Sequence, residues 1–434
     1  MDYQRLLSNY DYAELRLENG SESTISIKDD EVKNTSGSVH GMGVRILMGG
    51  SWGFASGSSG TVEDLLKRAE KLARLSKGKI RISNPSHDRK KITQKAGPRD
   101  SEDEIKELLR GSREMKAESI QSRIAVCRNL SVGTEFYNSH GSEIIQETEY
   151  SYLSCAAIAK SGDIMQRGSE RTWSRTGFGK MDVTGTAEKA RDKAIRLVHA
   201  DPPPKGRFTV VFDHEMTGVF SHEAVGHACE ADAIVDKESI LADKLGSSIG
   251  NELVSIVDDP SADDFGNYEY DDEGTKAAKV TLIDRGKVSG FLNSMETSHE
   301  LGMKPNGHAR AGDYSEVPIV RMSNTYFQKG DQSLEEVFDI RKGIYLKGMK
   351  GGSVDTFSGG FMFKAEEAYD IINGEKQRIM RDVTITGTIL QTLLDVEAVG
   401  NDFGTSPGIC GKGGQEVPVS DGGPHIRVKG VVIG

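Results

Sequence analysis

The stretch RFTVVFDHEMTGVFSHEAVGHACEADA, residues 207–233, predicts a strand that turns directly into a helix. Residues 207–213 form a largely apolar run of strand length, and helical character follows from His214 to about Ala233. Two histidines of that helix, His222 and His227, enclose Glu223. A strand, a short turn and a helix give a rigid support, so we expect a functional site here.

The spacing of the two histidines sets a condition on any ligand they share. In the zinc-peptidase pattern the histidines lie four residues apart on one helical face, with a glutamate between them as general base. Here they lie five apart, which in a regular α-helix rotates the second ring to about 140° from the first. A π-type bulge, tolerated at Gly226, would let both rings reach one ion. We therefore predict a distorted helix.

The six residues 222–227 also have a structural interpretation. His222 and His227 would then be a partly exposed pair on a helix, and Glu223 a solvated charge. Two histidines and a glutamate at fixed offsets arise by chance in about one per cent of chains of this length. The spacing alone leaves both interpretations open.

Composition narrows the class of protein. A chain of 434 residues predicts two domains, and a formal net charge of -11 disfavours broad nucleic-acid binding. No apolar run approaches the ~20 residues that span a bilayer, and the first twenty residues lack the features of a secretory signal. The four cysteines are too few and too scattered for a disulfide framework, so we expect a cytoplasmic protein without membrane spans.

Patterns in the first 200 residues predict an N-terminal α+β domain, 1–200. Alternation over 11–57 indicates antiparallel strands with turns at Asn19-Gly20 and Asp29-Asp30. Further strands are predicted over 121–136, 143–150 and 151–160, and helices over 61–76, 101–117 and 185–198. Thr61 caps the first helix, and Ser101 opens the second in a capping box with Glu104. Three consecutive prolines in 201–206 place the domain border there.

Residues 207–434 predict a β-rich C-terminal domain that carries the metal helix. Two hairpins are expected, one joining 279–284 to 288–292 and a stronger one joining 360–372 to 377–386 through Asn373-Gly374. Residues 388–399 have helical periodicity, and the chain ends in an alternating run, HIRVKGVVIG. The whole fold is predicted to be α+β.

The C-terminal half resembles the TldD/PmbA family of metalloproteases, on its TldD side. The similar segments are, in chain order, SHEAVGHACEAD from Ser221, YDDEGT from Tyr270, RMSNTY from Arg321, SGGFMFKAEEAYDIINGE from Ser358, VGNDF from Val399 and CGKGGQEVPV from Cys410. The N-terminal half resembles the family only in general layout. The PmbA-type relative lacks the HExxxH element, so its presence here indicates the catalytic type.

This resemblance implies a Zn²⁺ ion held by His222, His227 and Cys410, with Glu223 as general base. Two imidazoles and one thiolate leave a fourth position open, as catalytic zinc sites require, and the thiolate favours zinc over magnesium or calcium. Cys229 is the alternative third ligand. It lies two residues beyond His227 and would project about 200° away on a regular helix.

Other residues receive weaker assignments. The acidic stretch 258–273 lacks the EF-hand pattern, but the resemblance places it near the cleft, where Asp271, Asp272 or Glu273 would support the site. Arg310 is either a surface residue after a turn or part of the cleft wall. Gly359 and Gly360 would permit close backbone approach at a strand edge, and the resemblance suggests that an extended peptide binds there as an added strand.

The resemblance therefore implies a zinc metalloprotease that cleaves unfolded peptides or small proteins. It would act as a dimer, either a heterodimer with a PmbA-like relative or a homodimer. The alternative hypothesis is a non-catalytic module that binds extended peptides or a partner such as gyrase, with a structural zinc whose fourth ligand is His299 or His308. A nucleic-acid-binding regulator is disfavoured by the acidic charge balance.

Overall fold

The computed structural model describes residues 2–75, 77–94 and 100–434. The N-terminal half contains, in chain order, α1 (Tyr3–Leu7), β1 (Tyr12–Lys28), β2 (Glu31–Met48), β3 (Ser51–Gly57), α2 (Val62–Leu75), β4 (Arg89–Gln94), α3 (Ser101–Glu114), β5 (Ile120–Asn138), β6 (Glu143–Ser161), β7 (Ile164–Ser174), a 3₁₀ turn (Phe178–Lys180) and α4 (Val183–Val198).

These strands form one sheet in the order β3-β2-β1-β5-β6, with β4 and β7 both pairing with β6. Every pairing is antiparallel except that of β4 with β6. Helices α3 and α4 bury their apolar stripes against the sheet, with Leu108 and Ala187 in the same core cluster as Ile25. A second cluster joins α2 to β1 and β2. The long strands explain why alternation was the dominant sequence signal.

Three local predictions can be compared with this half. The turn at Asp29-Asp30 is confirmed, with Asp29 at a φ of 58°. The turn at Asn19-Gly20 is wrong: both residues lie inside β1, because β1 is paired along this stretch with β2 on one side and β5 on the other. Thr61 does cap α2, accepting a hydrogen bond from Asp64 N at 3.2 Å.

The predicted capping box at Ser101 is also wrong. Helix α3 begins at Ser101, and its N-cap is Asp100, whose carboxylate accepts hydrogen bonds from Glu102 N and Asp103 N. The negative charge of Asp100 also interacts favourably with the positive end of the helix dipole, which favours it as the N-cap. Glu104 instead turns inward, where it accepts a hydrogen bond from Asn129.

The C-terminal half contains β8 (Gly206–Phe212), α5 (His214–Val219), a π-helical turn (Phe220–Gly226), a 3₁₀ turn (His227–Cys229), α6 (Ala231–Val235), β9 (Ile256–Asp258), β10 (Val280–Asp284), β11 (Lys287–Val288), α7 (Met295–Leu301), β12 (Ala309–Arg310), β13 (Ile319–Val320), β14 (Asn324–Phe327), α8 (Leu334–Phe338), β15 (Lys342–Asp355), β16 (Gly360–Ile372), β17 (Glu375–Met380), β18 (Thr384–Thr388), α9 (Ile389–Leu394), β19 (Val396–Val399), β20 (Gly404–Lys412), β21 (Gln415–Gly423) and β22 (Ile426–Ile433). The predicted α+β class with a β-rich C-terminal half is confirmed.

Two larger sheets enclose the helix that starts at His214. One has the order β11-β10-β9-β14-β21-β20, and the other the order β15-β8-β22-β18-β16-β17, with β19 also pairing with β22. Helix α5 contacts β8 and β15 of one sheet and β14, β20 and β21 of the other. Phe212, Phe220 and Phe361 pack against one another in this core. The helix is therefore held rigidly between two sheets. Along the described part of the chain, no helix is long and apolar enough to cross a membrane.

The hairpin predictions hold, and one helix prediction is corrected. Arg285-Gly286 and Asn373-Gly374 form the predicted turns, each with two positive φ values. Of the predicted helix 388–399, only Ile389–Leu394 is helical. Residues Val396–Val399 instead form a strand that pairs with β22, because β-branched residues gain more from a ladder in the core than from one further helical turn.

The start of α5 predicts an unusual pH dependence of stability. The Asp213 side chain caps the helix, accepting hydrogen bonds from Met216 N at 2.9 Å and Gly348 N at 3.0 Å. Burial raises its pKa from 3.8 to about 7. The folded chain therefore holds a proton that the unfolded chain releases, and the contribution of Asp213 to stability falls as the pH rises from about 4 to about 7.

Replacing Asp213 with asparagine should remove this dependence, because asparagine stays neutral and its side-chain oxygen can still cap the helix. Its amide has only one acceptor oxygen, so one of the two N–H bonds is lost equally at every pH. Relative to wild type, the variant should gain more stability at pH 8 than at pH 5, by on the order of 1–3 kcal/mol. Thermal unfolding of the metal-free proteins at both pH values measures the difference. An equal effect at both pH values would contradict the prediction.

Candidate metal centre

The helix that begins at His214 changes its winding at the two histidines. It is α-helical to Val219, π-helical over Phe220–Gly226 and 3₁₀ over His227–Cys229. The His227 N–H donates to the His222 carbonyl, five residues back, as in a π-helix. The extra residue in the turn brings the two imidazole centroids to 5.1 Å. The predicted distortion is confirmed.

Gly226 makes this turn possible by its lack of a side chain. A Cβ atom at this position would lie 1.9 Å from the Met322 sulfur, so any other residue would push the turn away from the segment before β14. The π-helical turn is therefore packed closely against Met322 at this glycine.

Cys410 reaches the histidines from β20, at the edge of its sheet. Its Sγ lies 3.6 Å from His227 Nε2, and ligand atoms of His222, His227 and Cys410 all lie within 4.8 Å of one another. The fully buried Arg321 holds the β20–β21 hairpin in place by donating to the Cys410 carbonyl at 2.5 Å and the Gln415 carbonyl at 3.3 Å. Burial opposes ionisation of the Cys410 thiol, but hydrogen bonds to both histidines outweigh it and lower the pKa to about 5.

A buried carboxylate fixes the orientation of the His227 ring. Glu230 Oε2 lies 2.9 Å from His227 Nδ1, and since a carboxylate only accepts, Nδ1 carries the proton and Nε2 faces Cys410. Lys412 neutralises Glu230 at 3.0 Å and also pairs with Asp232 at 2.6 Å. Sequence reasoning missed Glu230 and Lys412. Their signal was present, because Glu230 follows His227 by three residues and Lys412 follows Cys410 by two.

The donor set fits a zinc ion. His222 is buried and brings one ring nitrogen within 4.8 Å of the ligand atoms of His227 and Cys410. His227 Nε2 lies 3.6 Å from the Cys410 sulfur, so these two donor atoms face each other. Two imidazole nitrogens and a readily ionised thiol are the soft and borderline donors that select zinc. The structure thus brings together the three residues predicted as ligands.

Glu223 lies on the accessible side of these three residues. Its Oε2 is 3.9 Å from His227 Nε2, and its side chain is 37% exposed. It is thus next to the space that the rings and the sulfur border, and open to solvent.

Cys229, the alternative third ligand, is fully buried in the apolar core, where burial raises its pKa. Among the described residues, the groups of three candidate ligands do not include it. Its side chain packs within the apolar core of the C-terminal half. It acts as a small apolar residue.

The acidic residues 271–273 are turned away from the candidate ligands, which corrects their expected supporting role. Asp271 accepts a hydrogen bond from Ala309 N, Asp272 accepts one from Ala311 N, and Glu273 pairs with Arg45 of the N-terminal sheet at 2.7 Å. They tie a loop to the two halves of the chain.

His299 and His308 do not complete the site either. His308 is fully buried and its Nε2 is 3.0 Å from Asp258, and His299 lies in the last turn of α7. Neither belongs to a group of candidate ligands in the described ranges.

A second cluster, His214, Asp402 and His425, also brings nitrogen and oxygen atoms together. Asp402 Oδ2 is 2.7 Å from His214 Nε2 and 2.5 Å from His425 Nδ1. These are hydrogen-bond lengths. Donors around one zinc at ~2.1 Å sit more than about 3 Å apart, so this cluster is a hydrogen-bonded junction between α5, β22 and the loop before β20.

The predicted substrate contacts are in different surroundings from those expected. Strand β16 pairs with β15 on one side and with β18 and β17 on the other, and Gly359 already bonds through its N–H to Asp355 and through its carbonyl to Ile389. Gly359 and Gly360 therefore offer no free edge for an added strand. Arg310 is buried, donates to the Met322 carbonyl and stacks on Tyr268, so it does not line an open cleft.

Comparison with known protein families gives three matches that follow the chain. The sequence model of the PmbA/TldA metallopeptidase C-terminal domain matches residues 205–434. Those of domain 1 and of the central domain match residues 13–75 and 95–198.

Relatives and solved structures agree with these matches. A metalloprotease of Methanothermobacter thermautotrophicus is 39% identical over 98% of this chain and 95% of its own length. A zinc metalloprotease TldD homolog of Saccharolobus solfataricus is 30% identical over 98% of this chain and 96% of its own. The fold is similar to that of a putative modulator of a DNA gyrase from Thermotoga maritima, at 19% identity and a TM-score of 0.84, over 100% of this chain and 99% of that one. It is also similar to that of TldE from Thermococcus kodakarensis, at 19% identity and a TM-score of 0.79, over 99% of each chain.

Proposed function

Because the chain belongs to the PmbA/TldD family of metallopeptidases, we propose that it is a TldD-type zinc peptidase that hydrolyses peptide bonds in unfolded peptides or small proteins. One observation carries the proposal: ligand atoms of His222, His227 and Cys410 converge within 4.8 Å, with Glu223 on their accessible side. Three protein donors leave one position for water or substrate, as in catalytic zinc sites.

The residues around the three donors have different roles in the proposed hydrolysis. A zinc ion bound there supplies a Lewis acid, which polarises the scissile carbonyl and makes water acidic enough to react at neutral pH. Glu223 accepts the proton of the attacking water and returns it to the leaving amine. Glu230 holds the His227 ring with Nε2 directed to the site, and Arg321 holds the strand that carries Cys410.

The strand that carries Cys410 also suggests how an extended substrate binds. Among the described strands β20 pairs only with β21, so its other edge has no strand partner. Backbone groups along that edge can bond to a peptide of almost any sequence, next to the candidate ligands. This edge replaces Gly359 and Gly360 as the proposed peptide site, and it favours unfolded chains because a folded segment cannot present a free backbone.

The alternative, a binding module with a structural zinc, requires a fourth protein ligand. The two histidines considered as the fourth ligand are unsuited. His308 is hydrogen-bonded to Asp258, and His299 does not lie with His222, His227 and Cys410. The geometry therefore favours catalysis. A dimer, with a second copy or with a PmbA-like relative, and a reducing compartment, which suits a chain with few and scattered cysteines, complete the proposal.

Incubation of the zinc-loaded protein with casein fragments tests the proposed function. New peptide termini, identified by mass spectrometry, should appear in the sample and be absent when a chelator is present, because the donor set without zinc lacks the Lewis acid. Added zinc should restore them. Cleavage that persists with the chelator, or no cleavage by protein of verified zinc content, would contradict the proposal.

A further inference from the structure

Two buried polar atoms without partners belong to elements that pack against each other. His222 Nδ1 lies on the π-helical turn, and Asp421 Oδ1 lies on β21. Neither atom has a hydrogen-bond partner among the described residues. A buried polar atom without a partner has lost its hydrogen bonds to water without replacement. The two atoms are complementary, because an imidazole nitrogen can donate and a carboxylate oxygen accepts.

A glycine brings Asp421 against the helix one turn before His222. A Cβ atom on Gly218 would lie 2.6 Å from Asp421 Oδ1 and 2.5 Å from Gly422 N, so β21 can approach this closely only at a glycine. Side chains of a helix lean toward its N-terminus and cover the preceding turn. His222 follows Gly218 by about one turn of the helix, and the π-helical turn that carries it contacts β21.

The charges around Asp421 leave its carboxylate without a committed partner. The positive charge of Arg171 acts on Asp421, but Arg171 is already paired with Glu215 of α5. The negative charges of Glu215 and Glu223 both repel the Asp421 carboxylate. In the described ranges Asp421 forms no ion pair within 4.0 Å.

We propose that Asp421 is a positioning residue for the metal centre: it accepts a hydrogen bond from His222 Nδ1 and thereby presents Nε2 to the ion. The inference rests on the proposed zinc site and deepens it. A ligating histidine nearly always donates its other N–H to a carboxylate, a carbonyl or water, which fixes the tautomer and the ring orientation. His227 already has this support from Glu230. Asp421 gives His222 the same support, so each imidazole ligand is held by its own carboxylate.

One other atom competes for this role. Thr217 Oγ1 is also buried without a partner in the described part of the chain, and it lies five residues before His222 on the same helix. A hydroxyl can accept from Nδ1, although more weakly than a carboxylate. The experiment must therefore separate Asp421 from Thr217.

Zinc affinity, measured on the full-length chain by competition with a chromogenic chelator, tests the proposal without relying on peptidase activity. Asp421→Asn should weaken zinc binding by roughly 10–100-fold, as typically observed when a group behind a ligand is changed. The thermal midpoint of the metal-free variant should not fall, because the removed carboxylate has no partner there. Thr217→Val should retain zinc affinity. Asp402→Asn is the matched control, because Asp402 is also hydrogen-bonded to histidines, namely His214 and His425, but neither of these is among the three ligands.

Three results would overturn the proposal. They are unchanged zinc affinity in Asp421→Asn, a loss in Thr217→Val instead, and a fall in metal-free stability that accounts for the weaker binding. Asp421→Ala provides the same comparison if the asparagine variant does not fold. If the wild-type protein binds zinc but does not cleave peptides, that result contradicts the proposed function and leaves the role of Asp421 in zinc binding unaffected.

Discussion

Replacing Glu223 with glutamine should leave zinc bound and slow peptide cleavage by about 10²–10⁴-fold, the usual contribution of a positioned general base. Glutamine has nearly the same size but cannot take a proton from water. Glu223 is not among the three converging donors, and its carboxylate is 3.9 Å from His227 Nε2 on the accessible side. In this variant, the zinc content measured by elemental analysis should therefore stay unchanged, while the rate of casein-fragment cleavage falls.

Glu238→Gln is the matched control, since Glu238 is an exposed glutamate fifteen residues further along the chain. It should change neither zinc content nor rate. Undiminished cleavage in Glu223→Gln would show that another group acts as the base. A parallel loss of zinc and activity would show that Glu223 helps to hold the metal.

The distorted helix was predictable because its cause is local. Histidines five residues apart cannot converge on a regular α-helix, and Gly226 marks the turn where the winding changes, as the π-helical segment shows. The same local logic found Thr61 and the Asn373-Gly374 turn. It failed at Asn19-Gly20, where pairing on both sides extends a strand through a sequence that favours a turn in isolation.

The rest of the site depends on contacts between residues far apart in sequence. Helix geometry counted against Cys229, but only the family resemblance pointed to Cys410, and the physical reason is that β20 lies beside the π-helical turn. The position of β8 between β15 and β22 likewise follows from long-range pairing. Lys412 and Asp421 contact the helix from strands distant in sequence, so periodicity alone could not reveal them.

Replacing Cys410 with serine should strongly reduce zinc affinity. The loss should exceed the roughly 10–100-fold that is typical when a residue hydrogen-bonded to a metal ligand is changed. A serine hydroxyl stays protonated at neutral pH, whereas hydrogen bonds with both histidines lower the pKa of the Cys410 thiol to about 5. The variant would keep two neutral imidazoles, and two donors hold zinc weakly compared with the three of a catalytic site. Chelator competition and elemental analysis measure the loss, and cleavage should disappear with the metal.

Cys229→Ala is the control that makes this result specific. Cys229 is fully buried among apolar side chains and is not in the group of converging donors. Alanine should therefore cost some packing energy but no zinc. If Cys410→Ser kept its zinc while Cys229→Ala lost it, the third ligand would have to come from within the helix itself. The sulfur on β20 would then have no part in the centre, and the hydrolytic mechanism built on three donors and an open fourth position would fail.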